Sequence, residues 1–292
     1  MVDLHTHTTA SDGQYSPSAL AEKMSGLDIS VWAVTDHDTV AGLKEAKEAA
    51  DKYGITFVPG IELNIARPGC EFHLLGLGLH KIEKSLTDII DGLQKSRLER
   101  NLEIVRRMNA DGIDVSLEEL AKEFLVDSLG RPHIAKWLVE NKIVKNNQAA
   151  FDKYLARGRP WYIERVGADF DKAVAAIYDC GGLPVIAHPL SLYLSWGKLE
   201  PVLEDLKSRG LAGLEAYHPG ARFVEGKRLE ALARKLGLFV TAGSDFHGEA
   251  VRRDRKPAHA SGDIIIEDRF WTEELCPALA RQSELKHSFL GA

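Results

Sequence analysis

The sequence predicts an α/β protein in which a mostly parallel sheet, open or closed into a barrel, carries an α-helical insertion. Two observations predict this class. Short apolar runs alternate with amphipathic stretches along most of the 292 residues, an order that is typical of repeated strand–helix units. From about Ser85 to Tyr154, however, the apolar residues recur at helical spacing and no strand pattern is evident. We therefore expect the body to comprise 1–84 and 156–292, and the insertion to comprise 85–155.

The predicted strands of the body are short and mostly apolar. A helix is expected after the second strand, from about Thr39 to Tyr53, because Asp38 or Thr39 could act as its N-cap and Gly54 could end it. The later helices of the body are expected at about Lys198–Ser208 and Val224–Lys235. The strands are expected at Val2–His5, Val31–Thr35, Thr56–Asn64, Glu71–Leu77, Pro184–Ala187, Gly213–Ala216 and Leu238–Ala242.

The insertion is predicted to contain one long helix and several shorter ones. Its first part carries an apolar stripe that is typical of a packed helix face. The stripe comprises Leu86, Ile89, Ile90, Leu93, Leu98, Leu102 and Val105. The shorter helices are expected at Leu117–Phe124, Pro132–Glu140 and Gln148–Leu155.

The composition indicates a globular protein and argues against several functional classes. The formal net charge is −6, which argues against a broad basic surface for duplex DNA but allows a local cationic pocket. The cysteines lie far apart with no CxxC pair, so a reducing compartment is favoured over a disulfide framework. The sequence shows no signal-peptide pattern and no apolar run of about 20 residues. We therefore expect a cytoplasmic protein that does not enter the membrane.

Histidines and acidic residues cluster at the carboxyl ends of the predicted strands. His5 and His7 form an HTH motif, and because alternate strand residues face the same side, both imidazoles can reach one point. Active sites of barrels and open α/β sheets assemble at this edge. Imidazole and carboxylate ligands suit Zn, Mn or Fe(II). The candidates are His5, His7, Asp12, Asp36, His37, Asp38, Glu62, His73, His188, Asp245 and His247.

Several of these residues, taken alone, have a simpler interpretation. Asp38 is expected to cap a helix rather than bind a metal, and Asp36 is expected to orient His37 or a water molecule. His188, which precedes Pro189, could be a hydrogen-bonded core histidine. Core packing does not readily explain the joint pattern, in which imidazoles and carboxylates recur at one strand end after another. The pattern therefore indicates a metal site.

Several short motifs follow one another along the body. They are HTHTTASDG, TDHDT, GIELN, the strand that contains His73, AHP and GSDFH. In these motifs and their order the chain resembles the PHP (polymerase and histidinol phosphatase) family of the amidohydrolase-like superfamily. The resemblance extends from Met1 to about Gly248, with the helical segment as an insertion. It implies a distorted (β/α)7 barrel, which agrees with the strands predicted above.

The resemblance implies a cluster of three divalent metal ions, with manganese as the expected metal and iron(II) or zinc as alternatives. Glu62 would bridge two of the ions. His80 lies near His73 in the sequence and is the alternative to it as a ligand. The implied ligands are His5, His7, Glu62 and Asp245 for the first ion, Glu62, His73 and His188 for the second, and Asp12, His37 and His247 for the third.

The charge of such a cluster favours a multiply charged anion, such as a phosphate, as the substrate. Three divalent ions would contribute about six positive charges against about three negative ones from the carboxylate ligands. A hydroxide that bridges two metals would be the nucleophile, and contacts between metal and oxygen would neutralise charge developing at phosphorus. His218, in the EAYHP motif, is expected to contact the scissile phosphate or to protonate the leaving group. We therefore expect a catalytic set of Asp245, Glu62 and His218.

Further basic residues could bind the rest of the substrate. The insertion contains GRPHIAKW, and the segment leading back to the body contains GRPWY. Because arginine suits bidentate recognition of phosphate, the expected substrate-binding residues are Arg131, His133, Arg159 and His218, and the insertion is expected to act as a substrate-binding lid. Trp161 and Tyr162 are expected to pack in the core, with base stacking as the alternative. The basic run at 252–256 is expected to be a solvated loop that could guide a nucleic-acid backbone.

Within the family, the RPH-bearing insertion and the GRPWY motif most resemble the subgroup of 3′,5′-nucleoside bisphosphate phosphatases. The expected reaction is therefore removal of the 3′-phosphate from a compound such as adenosine 3′,5′-bisphosphate. One alternative is a 5′–3′ exoribonuclease that acts on short 5′-phosphorylated RNA, and another is a histidinol-phosphate phosphatase. Hydrolysis of C–N bonds and a non-catalytic PHP module that binds a partner protein are further alternatives. The sequence predicts no oligomeric state.

Overall fold

The computed structural model describes residues 1–67, 70–124, 129–164 and 166–290. The chain divides into two compact units. The first comprises Met1–Ile90 and Gly167–Ala292, and the second comprises Asp91–Val166. Both ends of the second unit lie further along the chain than the boundaries that the sequence suggests, at 85 and 155.

The first unit is built on a seven-stranded sheet in which every strand neighbours the next one in sequence. All neighbouring strands are parallel except at β4, which runs antiparallel to both β3 and β5. The sheet is nearly closed into a barrel surrounded by helices, and the predicted fold class is therefore confirmed. The strands are β1 Val2–Asp3, β2 Val31–Val34, β3 Thr56–Arg67, β4 Cys70–Leu77, β5 Leu183–Ile186, β6 Gly213–Tyr217 and β7 Phe239–Ala242. A separate two-stranded sheet contains β8 His259–Ala260 and β9 Ile264–Ile265.

The two ends of the sheet meet just beyond β1 and β7. Thr6 forms a parallel bridge with Phe246, the His7 amide donates to the Phe246 carbonyl, and the Asp245 amide donates to the His5 carbonyl. β1 therefore ends earlier than predicted, because residues 5–7 pair with the segment after β7, while the Thr6 carbonyl still accepts a hydrogen bond from the Thr35 amide just beyond β2. Gly243 permits this approach, since a Cβ atom at this position would lie 2.2 Å from the Cβ atom of His5.

Two of the three helices predicted in the body lie at Trp196–Ser208 and Phe223–Leu236, within two residues of their predicted ends, and the third differs at its start. α2 begins four residues later than predicted, and Gly42 rather than Asp38 or Thr39 is its N-cap. The side chain of Asp38 instead accepts a hydrogen bond from the Asn64 amide of β3. The predicted end at Gly54 is confirmed, with φ of 69°. The helices of the first unit other than α3 are α1 Pro17–Ser25, α2 Leu43–Tyr53, α7 Phe170–Asp179, α8 Trp196–Ser208, α9 Phe223–Leu236, α10 Cys276–Ala280 and α11 Gln282–Leu290.

One apolar cluster packs α1 and α2 against β2 and the segment after β7. Leu20 and Met24 of α1, Ala46 of α2 and Trp32 of β2 are fully buried in one cluster, which also includes Phe246. Burying such side chains contributes roughly 25 cal/mol per Å² of apolar surface. The cluster holds the segment after β7 against the first helices of the barrel.

The second unit is helical, and its described residues include no strand. Its core contains Ile104, Met108 and Leu138. In α3 the predicted stripe is wrong at Leu98 and Leu102, which are 51% and 49% exposed, because Asn101 is buried there and donates a hydrogen bond to the Leu129 carbonyl. The helices are α3 Lys84–Ala110, which begins in the first unit, α4 Leu117–Phe124, α5 Arg131–Glu140, α6 Asn147–Ala150 and a π-helical segment, Phe151–Leu155.

None of the helices in the described ranges is both long enough and apolar enough to cross a membrane.

Gly243→Ala should strain the closure of the barrel, because the new methyl group would overlap the backbone and Cβ atom of His5. We expect a loss of about 1–3 kcal/mol in stability and a lower midpoint of thermal unfolding, measured by circular dichroism. Gly197→Ala in α8 is the matched control, since nothing lies within 4 Å of its added Cβ atom. Equal midpoints for the two variants would contradict the role of Gly243.

Candidate metal centre

Residues from successive strand ends converge at one end of the barrel. His5 and His7 follow β1, His37 follows β2, Glu62 lies within β3 and His73 lies within β4. The remaining predicted ligands follow β5 and β7, apart from Asp12, which lies in the loop between β1 and α1. The structure brings together all of the predicted ligands, namely His5, His7, Asp12, His37, Glu62, His73, His188, Asp245 and His247.

The Glu62 carboxylate lies at the centre of this cluster and is fully buried. Its Oε1 atom is 2.8 Å from His73 Nδ1 and 3.0 Å from His188 Nε2. Its Oε2 atom is 2.9 Å from His37 Nδ1 and lies 3.3 and 3.4 Å from the Nε2 atoms of His7 and His5. The two oxygens of one carboxylate therefore face different sets of imidazoles, the arrangement that a bridging ligand requires.

Two further acidic residues complete groups of possible ligands. Asp245 Oδ1 lies 3.2 Å from His7 Nε2 and 3.6 Å from His5 Nε2. Asp12 Oδ1 lies 3.3 Å from His247 Nε2. Groups whose ligand atoms all lie within 4.8 Å of one another are His5, His7, Glu62 and Asp245; His7, Asp12, His37 and His247; and His37, Glu62 and His73. The first two contain the predicted first and third ligand sets, and the third contains Glu62 and His73 of the predicted second set, with His37 in place of His188.

Unsatisfied polar atoms test whether these residues fit metal ions. Buried polar atoms are nearly always hydrogen-bonded in native proteins, yet within the described part of the chain several atoms of this cluster have no hydrogen-bond partner. They are His5 Nε2, both ring nitrogens of His7, His37 Nδ1, Glu62 Oε2 and His73 Nδ1. His5 Nε2, His37 Nδ1 and His73 Nδ1 lie 2.8–3.4 Å from a Glu62 oxygen and yet form no hydrogen bond with it. Because nitrogen and oxygen ligands of this kind suit divalent metals, the cluster fits metal ions.

The cluster strongly perturbs the protonation of its histidines in the absence of metal. Burial opposes the positive charge of His5, but the carboxylates of Glu215 and Glu62 outweigh it and hold the pKa of His5 well above its ordinary value. Burial likewise opposes the charge of His7, while Asp245 and Glu62 raise its pKa to about 10. These two imidazoles are therefore protonated at neutral pH until a cation replaces their protons.

The pKa values of His37 and Glu62 are lowered instead. Burial is the main cause that lowers the pKa of His37 to about 4. Burial would raise the pKa of Glu62, but electrostatic attraction to the imidazoles of His37 and His73 at low pH holds it well below its ordinary value. The central carboxylate is therefore ionised, and His37 presents a neutral imidazole that is ready to bind a metal.

Glu215 supports the cluster, although the sequence analysis did not single it out. It lies in β6 and is 1% exposed. Its Oε1 atom is 2.9 Å from His5 Nδ1, and its Oε2 atom accepts a hydrogen bond from the His188 amide. A hydrogen bond of this kind fixes the orientation of the imidazole and leaves Nε2 free for a metal. The signal in the sequence was a charged residue inside the apolar strand GLEAY.

Two other buried aspartates hold the loops that carry ligands. Asp36 accepts hydrogen bonds from the amide and hydroxyl of Thr8 and from the hydroxyl of Ser11. The Asp36 carboxylate thus fixes the loop after His7, and the expectation that it orients His37 or a water molecule stays a prediction. Asp3, which the sequence analysis also overlooked, accepts hydrogen bonds from the amide and hydroxyl of Ser244. The contacts of Asp36 hold the loop that leads to Asp12, and those of Asp3 hold the residue before Asp245.

A cavity of about 340 Å³ opens beside the cluster, and two arginines line it together with His188, His218 and Asp245. Arg255 is 7% exposed, and its Nη1 atom lies 3.3 Å from His218 Nε2. Arg252 Nη1 lies 3.5 Å from Asp245 Oδ2. The expectation of a solvated basic loop is therefore wrong for Arg255, which contributes its charge to the wall of the cavity. The spacing of the run RRDRK does not reveal which arginine turns inward.

His218 lies at the same wall and is 6% exposed. Its Nδ1 atom accepts a hydrogen bond from the Gly220 amide, and its Nε2 atom is 3.3 Å from Asp245 Oδ2. Burial is the main cause that lowers the pKa of His218. The predicted position of His218 beside the cluster is confirmed, and its role stays a prediction. His80, the alternative to His73, is exposed and lies outside the cluster.

The remaining predicted substrate residues lie in the second unit. The Arg131 guanidinium is 5.5 Å from the centre of the Tyr162 ring, and His133 Nδ1 accepts a hydrogen bond from the Gly130 amide. Arg159 is exposed. Their role in substrate binding stays a prediction.

Trp161 is 1% exposed, stacks on Tyr154 at 4.0 Å and donates to Asp111. The expected core packing of Trp161 is therefore confirmed.

A model of the PHP domain family matches residues 3–159. The chain belongs to the PHP family. It is 32% identical to a 5′–3′ exoribonuclease of Haemophilus influenzae, over 84% of this chain and 89% of that protein. It is 30% identical to a 3′,5′-nucleoside bisphosphate phosphatase of Chromobacterium violaceum, over 84% of this chain and 87% of that protein.

A solved PHP-like structure shares the fold over nearly the whole chain. It comes from Bifidobacterium adolescentis and is described as a candidate metal-dependent phosphoesterase. The TM-score is 0.80 and the sequence identity is 28%, with 94% of this chain and 95% of that chain covered. The protein is therefore a metal-dependent phosphoesterase of the PHP family, a hydrolase whose clustered imidazoles and carboxylates are able to hold the metal.

Glu215→Gln should weaken metal binding, because the amide no longer balances the charge on His5 and holds its ring less firmly. Loss of such a supporting contact typically costs 10–100-fold in metal affinity. The affinity for Mn²⁺ is measured by calorimetric titration of the metal-free protein. Glu273→Gln, at an exposed position, is the matched control and should bind as the wild type does. An unchanged affinity in Glu215→Gln would refute the supporting role.

Metal uptake by the metal-free protein should release protons at neutral pH. Because their pKa values are raised, the rings of His5 and His7 are protonated at neutral pH, and that of His7 stays protonated up to about pH 10. A metal must displace these protons to bind. Apparent affinity should therefore rise with pH from 6 to 8. Calorimetry in two buffers of different ionisation enthalpy measures the released protons. No net release, or an affinity that falls as pH rises, would contradict this account.

Proposed function

We propose that this protein removes the 3′-phosphate from nucleoside 3′,5′-bisphosphates and releases a nucleoside 5′-monophosphate and inorganic phosphate. One observation carries the proposal. Two arginines, Arg252 and Arg255, line the same cavity as the ligand cluster, so the positive charge there exceeds what the metals alone would supply. A substrate with more than one phosphate matches that charge.

The cluster is proposed to hold three divalent ions, with Mn²⁺ as the ion of choice. Such ions neutralise charge on phosphoryl oxygens and lower the pKa of water so that a nucleophile is available at neutral pH. Glu62, at the centre of the cluster, would link two of the positions, as the separate contacts of its two oxygens support. In the overall reaction the bond between phosphorus and O3′ breaks, and an oxygen from water joins the phosphorus.

His218 is proposed to donate a hydrogen bond to the scissile phosphate. Because the Gly220 amide donates to Nδ1, that nitrogen carries no proton, and the neutral ring holds its proton on Nε2. Nε2 therefore carries the N–H group at the wall of the cavity, 3.3 Å from Asp245 Oδ2, and a phosphoryl oxygen of the substrate would compete with that carboxylate for it. This tautomer supports contact with a phosphoryl oxygen, and it does not support proton donation to the leaving group, because a neutral imidazole is a very weak acid.

Asp245 is proposed to link the metal ligands to the residues that contact the phosphate. Its Oδ1 atom lies 3.2 Å from His7 Nε2. Its Oδ2 atom lies 3.3 Å from His218 Nε2 and 4.0 Å from Arg255 Nη2. One carboxylate can thus bind a metal and orient two hydrogen-bond donors toward the substrate. Preorganised donors of this kind stabilise charge as it develops in the transition state.

The insertion is proposed to act as the substrate-binding lid. In this proposal Arg131, His133 and Arg159 contact the end of the nucleotide away from the scissile bond. Arginine provides the bidentate contact that a terminal phosphate favours.

A 5′–3′ exoribonuclease activity is the second candidate, because the Haemophilus influenzae relative at 32% identity carries that name. Both reactions break a 3′ phosphoester that lies next to a 5′-phosphate. One site could therefore perform both, and the difference is whether the released group carries a further nucleotide. Histidinol-phosphate phosphatase activity receives no support from the paired arginines, since that substrate has a single phosphate.

A substrate panel with purified, manganese-loaded protein tests the proposal. We expect phosphate release from adenosine 3′,5′-bisphosphate to be much faster than from 5′-AMP, because 5′-AMP lacks the scissile 3′ ester. The panel also contains a 5′-phosphorylated dinucleotide, short RNA and histidinol phosphate. Release is followed by a colorimetric phosphate assay and by chromatography of the nucleotides.

Asp245→Ala serves as the control for contaminating activity and should be folded but inactive. Equal rates on adenosine 3′,5′-bisphosphate and 5′-AMP, or release from neither, would overturn the bisphosphate proposal. Faster cleavage of RNA than of the bisphosphate would favour the exoribonuclease. Activity that persists unchanged in Asp245→Ala would contradict the assignment of the site and favour a non-catalytic module.

A further inference from the structure

We propose that Tyr193 forms a nucleobase-binding subsite at the mouth of the cavity, where its ring stacks on the base of the substrate. This inference rests on the proposed function, since it supposes a nucleotide in the site. No motif or periodicity in the sequence marks Tyr193 as a site residue.

Tyr193 is unusually exposed for an aromatic residue next to a buried cluster. Its side chain is 94% exposed, and it lines the same cavity as His188, His218 and Asp245. Packing in the core therefore does not account for the ring. A large apolar face that is presented to solvent at the wall of a small-molecule cavity is available to a planar ligand.

The backbone of Tyr193 adopts a conformation that is unfavourable for tyrosine. Its φ of 52° and ψ of 32° lie in the left-handed region, which glycine and asparagine adopt more readily than tyrosine. Strain of this kind costs roughly 1–3 kcal/mol and is concentrated at functional sites. The fold thus receives no packing contribution from this tyrosine and bears a conformational cost, so stability does not explain its presence.

The turn that carries Tyr193 is fixed to the metal cluster. A 3₁₀ helix, Pro189–Leu192, connects His188 to Tyr193. The ring of His188 lies 3.0 Å from the Ser191 hydroxyl, and the Ser191 amide donates to the His188 carbonyl. The Tyr193 amide donates to the Leu190 carbonyl. The backbone of Tyr193 is therefore held in place relative to a predicted metal ligand.

The lining of the cavity suits a ligand that is charged in one part and apolar in another. Charged and imidazole side chains line it together with the apolar residues Pro189, Leu190, Ala221 and Leu229. Its volume of about 340 Å³ lies in the range of sites for small organic ligands, roughly 300–1,000 Å³, and an inorganic phosphate would leave most of it empty. A nucleotide supplies both the charged group and the flat ring.

Two variants separate the ring from the backbone. Tyr193→Phe keeps an aromatic ring, and Tyr193→Asn removes the ring while tolerating the left-handed backbone. Each manganese-loaded protein is assayed on adenosine 3′,5′-bisphosphate and on 1-O-methylribose 3,5-bisphosphate, which has no base. The wild type should prefer the nucleotide in kcat/KM. In Tyr193→Asn that preference should fall about tenfold, through KM rather than kcat, because stacking of one base is lost. Tyr193→Phe should keep it.

Several results would overturn the inference. An unchanged preference in Tyr193→Asn, or an equal loss on both substrates, would show that the ring does not recognise the base. A fall in kcat with KM unchanged would indicate that the substitution displaces His188 instead. If the wild type hydrolyses the bisphosphate and the preference is insensitive to Tyr193, only this inference fails. If the wild type hydrolyses neither compound, the proposed function fails and the inference fails with it.

Discussion

The buried carboxylate of Glu62 is the constraint on which the rest of the first unit depends. A fully buried carboxylate costs several kcal/mol unless opposite charge or hydrogen bonds compensate it. Here the imidazoles of His5, His7, His37, His73 and His188 all approach its two oxygens. In the metal-free protein some of these rings compensate the charge by holding protons, and divalent ions would do so more completely. Metal binding and the stability of the barrel end should therefore be coupled.

The barrel supplies this arrangement by bringing several strand ends to one place. The approach of His5 to Asp245 depends on the closure at Gly243, and the loops that follow are held by Asp3 and Asp36. Non-glycine residues in the left-handed region gather around the same end of the barrel. They include Asp38, His188, Tyr193 and Asp245, with φ values between 28° and 52°. Strained backbone of this kind is concentrated at functional sites, and His188 and Asp245 adopt it two and three residues after β5 and β7 end.

Site residues could be predicted from the sequence where their role follows from neighbouring residues, and less well where it depends on contacts made by the folded chain. The order of strands and the ligands His5, His7 and Asp245 could be predicted because each lies at the end of an apolar run. Glu215 could not, because it lies within a strand and its role depends on two residues distant in the chain. The inward position of Arg255 and the exposure of Tyr193 could not be predicted either. Both residues lie in loops, and loop geometry, which neither periodicity nor composition encodes, decides whether a side chain faces the cavity or the solvent.

Anomalous diffraction from a crystal of the manganese-loaded protein tests the central claim most directly. The account predicts anomalous peaks for three ions in the ligand cluster. Two of them should share the Glu62 carboxylate, with one oxygen bound to each ion. Peaks that lie away from Glu62, or a manganese-loaded crystal in which the Glu62 oxygens bind no ion, would contradict the account.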